Sequence, residues 1–212
     1  MGKLIDERRY YKYEKNKIII VSIALLGFIS LGSSLWYMSA DKKVSLSTID
    51  AKQVSFNTVD EMITFSQLVV TGKPIESENF VTFDERGFTV DAYTITQFKI
   101  NKVLENRTTH DYKAGDIIKV AEPSYVYDNG IMPGKTKFSI NNYRNMDKNH
   151  SYMLLLVPDL KYDDLYVISG VNEGKHNIDI PGNDGEKVGV PQEAKNYKFK
   201  EELMKKFNLK SF

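Results

Sequence analysis

Phe88–Leu104, FTVDAYTITQFKINKVL, decides the fold class. Phe88, Val90, Ala92, Thr94 and Thr96 alternate with Thr89, Asp91, Tyr93, Ile95 and Gln97, and Phe98, Ile100 and Lys102 carry the first face onward. Side chains along a strand point to opposite faces with a period of two, so this pattern predicts one long β-strand. The apolar register shifts near Tyr93–Ile95, which predicts a bulge that bends the strand there.

On either side the same period recurs in shorter pieces. Ser66–Gly72 (SQLVVTG) reads as a strand ended by Gly-Lys-Pro, and Asp116–Ala121 (DIIKVA) as one that follows a Lys-Ala-Gly turn. Tyr152–Val157 (YMLLLV) is a continuous apolar run, the signature of a strand buried on both faces. Leu165–Ser169 and Lys175–Ile180 add two short strands, and prolines and glycines punctuate the intervals. Two helices frame this region. Thr58-Val59-Asp60-Glu61 fits a capping box for a short helix over 58–66. Glu193–Leu209 sets Phe199, Leu203 and Phe207 on one face, with acidic residues early and lysines late, so 191–212 is expected to form a C-terminal helix that docks on the sheet or remains a solvated tail, with a partner-binding helix as the alternative. Unequal strands without βαβ alternation predict a mainly β fold, a small antiparallel β-barrel or sandwich. Val69, Val70, Phe98, Ile100, Val103, Ile117, Val120, Leu154, Leu156, Val167 and Ile168 are its expected core.

The N-terminal part obeys a different rule. Ile18–Met38 is a run of 21 residues without a charge. A helix of that length rises about 30 Å, the hydrocarbon thickness of a bilayer, and Trp36 and Tyr37 at its far end suit the headgroup boundary. Lys3, Arg8, Arg9, Lys12, Lys15 and Lys17 precede the run, so the positive-inside rule keeps the N-terminus in the cytoplasm and sends the remainder outward. A cleaved signal peptide shares this layout. The continuation of the run through Leu35-Trp36-Tyr37-Met38 favours an uncleaved anchor. The expected organisation is therefore a basic cytoplasmic tail (1–17), a transmembrane helix (18–38), a polar tether (39–57), an extracytoplasmic β-barrel-like domain (58–190) and the C-terminal helix (191–212). The expected location is the cell membrane, single-pass, with the C-terminal domain extracellular and membrane lipid around residues 18–38.

The whole chain of 212 residues has a mean hydropathy of −0.38 and a formal charge of +1, an average over unlike parts. Residues 41–212 carry 23 basic and 25 acidic residues, which gives no steering towards nucleic acid or other anionic polymers. Cysteine is absent, which excludes disulfides, thiolate zinc sites, cysteine nucleophiles and a lipidated cysteine. Lysine outnumbers arginine 24 to 5 beside 18 isoleucines and 15 asparagines, a bias typical of AT-rich bacterial genomes. With the missing cysteine, it points to a Gram-positive cell surface.

The order LVVTGKPIES, FKINKVLEN, YKAGDIIKVAEP, NHSYMLLLVPD and LYVISG resembles a layout seen in uncharacterised membrane-anchored or secreted Gram-positive bacterial proteins with an OB-fold or netrin-like β-barrel domain. The resemblance covers roughly residues 66–170 and rests on structural motifs. It implies a five-stranded barrel and no particular activity. Netrin-like inhibitor domains act through an N-terminal cysteine, which this chain lacks, so that mechanism does not carry over.

Motifs for chemistry are sparse. His110, His150 and His176 lie far apart in sequence and outside any ligand spacing, so no metal is expected. Gly130-Ile-Met-Pro-Gly134-Lys135-Thr136 has three residues where a phosphate loop needs four, and reads as turns around Pro133, so no nucleotide is expected. Asn183-Asp184-Gly185-Glu186 fails the calcium-loop alignment, and Asp163-Asp164 reads as a polar hairpin tip. The unusual stretch is Glu122–Met146, a long connection that carries Tyr125, Tyr127, Phe138 and Tyr143. Tyrosine combines apolar area with a hydrogen-bonding tip that suits sugars, peptides or a protein partner. Tyr125, Tyr127, Asp128, Tyr143 and Arg144 are therefore the expected binding residues, against the alternative that these rings plug the open end of the barrel. The expected function is a binding, sensing or envelope-accessory module without catalysis or cofactor, with a protein or cell-wall partner. A surface hydrolase of wall or peptide material, or an immunity or inhibitor protein, is the alternative.

Overall fold

The computed structural model describes residues 33–180 and 191–209. Two compact units divide the chain: Met1–Ser45 with Asp128–Thr136, and Leu46–Tyr127 with Lys137–Phe212. Helix α1 occupies residues 33–41. Then follow β1 (Val44–Ile49), α2 (Val59–Phe65), β2 (Leu68–Phe83), β3 (Thr89–Asn106), β4 (Ile117–Glu122), β5 (Ser124–Asp128), β6 (Lys135–Ile140), β7 (Tyr152–Pro158), β8 (Leu165–Ile168), β9 (Lys175–Asn177) and α3 (Pro191–Lys206).

The architecture is mainly β with mixed sheets and not a closed barrel. One sheet has the order β1-β6-β5, the other β2-β3-β4-β8-β7-β9, and β2 also pairs with β7. The expected all-antiparallel barrel is corrected in three ways. β8 lies parallel to β4 (Lys119↔Leu165 to Ala121↔Val167), because the β7–β8 connection inserts β8 between β7 and β4. β9 extends the sheet beyond β7, and β1, β6 and β5 form a sheet of their own. Among the described residues the distal parts of β2 and β3 pair only with each other, since β7 meets β2 over Leu68–Gly72 and β4 meets β3 over Thr94–Lys99.

β2 runs through Gly72-Lys73-Pro74, where the sequence predicts an end. Pro74 lies just past the stretch paired with β7, and a register shift between Pro74 and Glu76 absorbs it, the kind of place a strand tolerates proline. Gly72 has strands on both sides, and a Cβ there would lie 2.1 Å from the Lys99 carbonyl oxygen. The register of β3 is regular across Tyr93–Ile95. Its irregularities fall opposite Val69/Val70, Thr71/Gly72, Pro74/Glu76 and Thr82/Phe83 instead.

Alternation along β2 and β7 divides the core in two. Leu68, Val70, Leu154 and Leu156 join Phe98, Ile100, Ile118, Val120, Tyr166 and Ile168 on one face. Val69, Met153 and Leu155 point the other way, under α2 (Val59, Met62, Ile63) and α3 (Phe199, Leu203, Met204). β7 is thus buried on both faces, as its unbroken apolar run requires. Within β4 the core face is Ile118 and Val120; Ile117 is exposed, contrary to the expected core. At the start of α2, Thr58 Oγ1 accepts from the Glu61 N–H (3.1 Å) and Glu61 reaches back to the Asn57 N–H (2.9 Å), a capping box shifted by one residue.

The residues read as a tether contain β1, and Phe56 is buried in the second core cluster. Of the expected membrane span, residues 18–32 lie outside the described residues, as does Asn183–Glu186. Among the described residues no helix is long and apolar enough to cross a membrane.

Candidate functional site

The long Glu122–Met146 stretch holds β5, β6 and an anchored loop. Glu122, at the end of β4, is fully buried and receives three hydrogen bonds: from Thr96 Oγ1, from the Tyr143 hydroxyl (2.9 Å) and from the Met146 N–H (2.7 Å). Tyr143 is therefore a core residue whose hydroxyl points inward, with the Lys175 ammonium 4.4 Å from its ring centre. Tyr125 is half-buried and stacks on Phe138 at 5.3 Å. Tyr127 and Arg144 are exposed, and the Arg144 carbonyl accepts from Lys175. Asp128 belongs to the smaller unit, where its side chain accepts from the Gly130 N–H (2.9 Å). The five expected binding residues thus do not share one surface: Tyr143 is taken into the core, and Tyr125 spends one ring face on Phe138.

A more open site lies elsewhere in the larger unit. The start of β2, the end of β3, the start of β4, the end of β7 and the start of β8 converge on a cleft of about 420 Å³, a volume within the range of small-ligand pockets. Its aromatic wall is a stack. His110 lies nearly flat on Tyr112 (5.3 Å, 25°), and Tyr112 meets Tyr166 edge-on (5.9 Å, 75°). The buried Tyr166 hydroxyl and the Tyr112 hydroxyl share a hydrogen bond (3.0 Å). Burial, then the Tyr166 hydrogen bond, pushes the Tyr112 phenol well above its ordinary pKa, which keeps it a donor at any physiological pH.

Charged groups also line the cleft. Lys119 Nζ donates to Asp164 Oδ2 at 2.5 Å; this bond, then the charge itself, lowers the Asp164 pKa and raises that of Lys119. Asp163 and Arg107 complete a lining of two cations and two carboxylates. Arg107 has a structural task as well. Its Nη1 donates to the carbonyls of Ile63 (2.7 Å), Thr64 (3.3 Å) and Ser66 (3.0 Å), capping the C-terminal end of α2.

The three histidines stay apart in role. His110 belongs to the stack, His150 Nδ1 lies 3.1 Å from Asp179 Oδ1, and His176 is buried beside β7 with its pKa lowered to about 3, chiefly by burial. No group of three or more His, Cys, Asp or Glu side chains that could hold a metal occurs among the described residues.

In the sequence His110 lies outside any ligand spacing, Asp163-Asp164 reads as a polar hairpin tip, and Tyr112, Tyr166 and Lys119 belong to no motif. The available signal was positional: the β3–β4 and β7–β8 connections both mix aromatic and charged residues at strand ends. No family model, curated protein or solved structure matches this chain.

Proposed function

We propose that this protein is a non-catalytic binding module, displayed outside the cell by a single-pass anchor at residues 18–38, and that its ligand surface is the His110–Tyr112 cleft. The observation that carries the reading is the cleft itself: five strand ends hold an aromatic stack against a charge-balanced polar rim. Zero net charge in the lining disfavours phosphate-rich ligands and suits an uncharged one, such as wall saccharide or peptide. Asp164 is bound to Lys119 and His110 is stacked on Tyr112, an arrangement for holding a ligand rather than for passing protons. An open, OB-like arrangement over roughly residues 66–170 is the finer fold reading. The β2–β7 pairing, the parallel β4–β8 pair and the order β2-β3-β4-β8-β7 support it.

The cleft is tested by amide NMR of the full-length chain in nanodiscs, titrated with a digest of Gram-positive cell wall. Saturable shifts at Thr108–Tyr112 and Asp163–Tyr166 are expected, and H110A and Y112A should abolish them. Shifts confined to Tyr125 and Tyr127 would move the site to the β5 surface and refute the cleft. The anchor is tested by fractionation with N-terminal sequencing, where release from the membrane with a new N-terminus near Leu35 would refute it.

A further inference from the structure

The smaller unit carries a feature that the cleft does not use. The turn between β5 and β6, Asn129-Gly-Ile-Met-Pro-Gly134, has no charged residue, and its tip presents Ile131 at 94% and Met132 at 70% exposure. Two adjacent hydrophobic side chains this bare form a small apolar tip on the turn. The turn is held against the last residues of α1. The Tyr37 hydroxyl donates to the Ile131 carbonyl (3.3 Å), and the Gly134 N–H donates to Asp41 Oδ1 (3.2 Å). The Lys135 N–H donates to the Lys43 carbonyl (2.9 Å). The approach is close because Gly134 has no side chain: a Cβ there would sit 3.2 Å from the Lys43 carbonyl oxygen.

α1 in turn exposes Leu35, Trp36 and Met38. It is the end of the uncharged run that begins at Ile18, and Lys42 and Lys43 follow it at once. Tryptophan beside tyrosine, then lysines, is the order of groups that crosses from acyl chains to headgroups. Lys135, whose backbone N–H bonds the Lys43 carbonyl, brings a third lysine to this segment, and the Asp41 carboxylate already accepts from the turn.

We infer that the Ile131–Met132 turn is a second membrane contact: its two side chains seat in the headgroup–acyl boundary of the bilayer, beside Trp36, while Lys42, Lys43 and Lys135 face anionic headgroups. This rests on the single-pass anchor proposed above. The contact fixes the β5–β6 turn at the lipid surface.

The chain has one tryptophan, Trp36, which makes the test direct. Full-length protein is reconstituted in phosphatidylglycerol–phosphatidylcholine vesicles, with and without lipids brominated in the upper acyl chain. Trp36 of the wild type reports the anchor. The variant W36F/I131W reports the turn, and W36F/M132W repeats the measurement should the first variant fold poorly by circular dichroism. Interfacial side chains bury about 5–10 Å into the boundary, so emission from position 131 should be blue-shifted and roughly halved by the bromines. Quenching at Trp36 without quenching at positions 131 and 132 overturns the turn contact and leaves the anchor standing. Absence of quenching at all three positions overturns both. Blue-shifted but unquenched emission at 131 assigns the turn to a protein surface or a second copy, and overturns the lipid assignment.

Discussion

Replacing Glu122 tests whether one buried carboxylate fixes the loop that follows β6. Its side chain is fully buried and takes hydrogen bonds from Thr96, Tyr143 and Met146. In Glu122→Leu the apolar volume is retained but these acceptors vanish. Thr96 keeps Ser77 Oγ at 2.8 Å, so the loss falls on the Met146 N–H, which loses its acceptor, and on the bond from the Tyr143 hydroxyl. A buried donor left without its acceptor costs about 1–3 kcal/mol and a lost hydrogen bond about 0.5–1.5 kcal/mol, which gives about 1.5–4.5 kcal/mol for the two. That is a large part of the ~5–15 kcal/mol that holds a domain together. Glu122→Gln keeps one carbonyl oxygen for Tyr143 and Met146, and its amide can donate to Thr96 while Thr96 donates to Ser77. The cost of this variant is expected to stay near 1 kcal/mol. Urea unfolding followed by far-UV circular dichroism measures both. Equal losses for the two variants, or a loss below about 1 kcal/mol for Glu122→Leu, would show that these hydrogen bonds do not anchor the loop.

Three other perturbations are sharp. Gly72→Ala forces a Cβ to 2.1 Å from the Lys99 carbonyl, between strands that cannot both retreat; a loss of about 1–3 kcal/mol or more is expected from denaturation midpoints, and an effect below about 0.5 kcal/mol would contradict the β2–β3 approach. Arg107→Ala removes the cap from three carbonyls at the end of α2 and should cost about 1–2 kcal/mol, with faster hydrogen exchange confined to α2. His176 has a folded pKa of about 3 against an ordinary 6.5, burial first and then Lys200 and Lys175 opposing its charge. As pH falls through that window the unfolded chain gains a proton that the folded chain refuses, so stability falls by up to ~1.4 kcal/mol per pH unit. His176→Gln should flatten the acid limb of a midpoint-against-pH curve, and an unchanged slope would show that His176 does not set it.

The strands β3, β4, β7 and β8 and the helix α2 were legible because each writes a local period or cap: alternation in Thr89–Asn106, an unbroken apolar run in Tyr152–Pro158, Thr58 and Glu61 at a helix start. The continuation of β2 past Pro74 was not legible. Whether a proline ends a strand depends on which neighbour needs its N–H, and β7 stops pairing at Gly72. β1 was missed for a related reason, since VSLSTI has too little apolar content to announce itself and is a strand by virtue of its partner β6. At the site, composition singled out Tyr125, Tyr127 and Tyr143 as a group, and only packing separates a tyrosine facing Glu122 from one facing solvent.

By itself the sequence determined the β-rich class, the two-sided burial of β7 and the amphipathic C-terminal helix, because each follows from the spacing of neighbouring residues. Only the tertiary structure decided that β8 lies parallel to β4, that β2 is shared by β3 and β7, and that His110, Tyr112, Tyr166 and Asp164 face one cleft. Those facts are pairings across dozens of residues. They are set by which apolar faces can close over one another, and no local period records them.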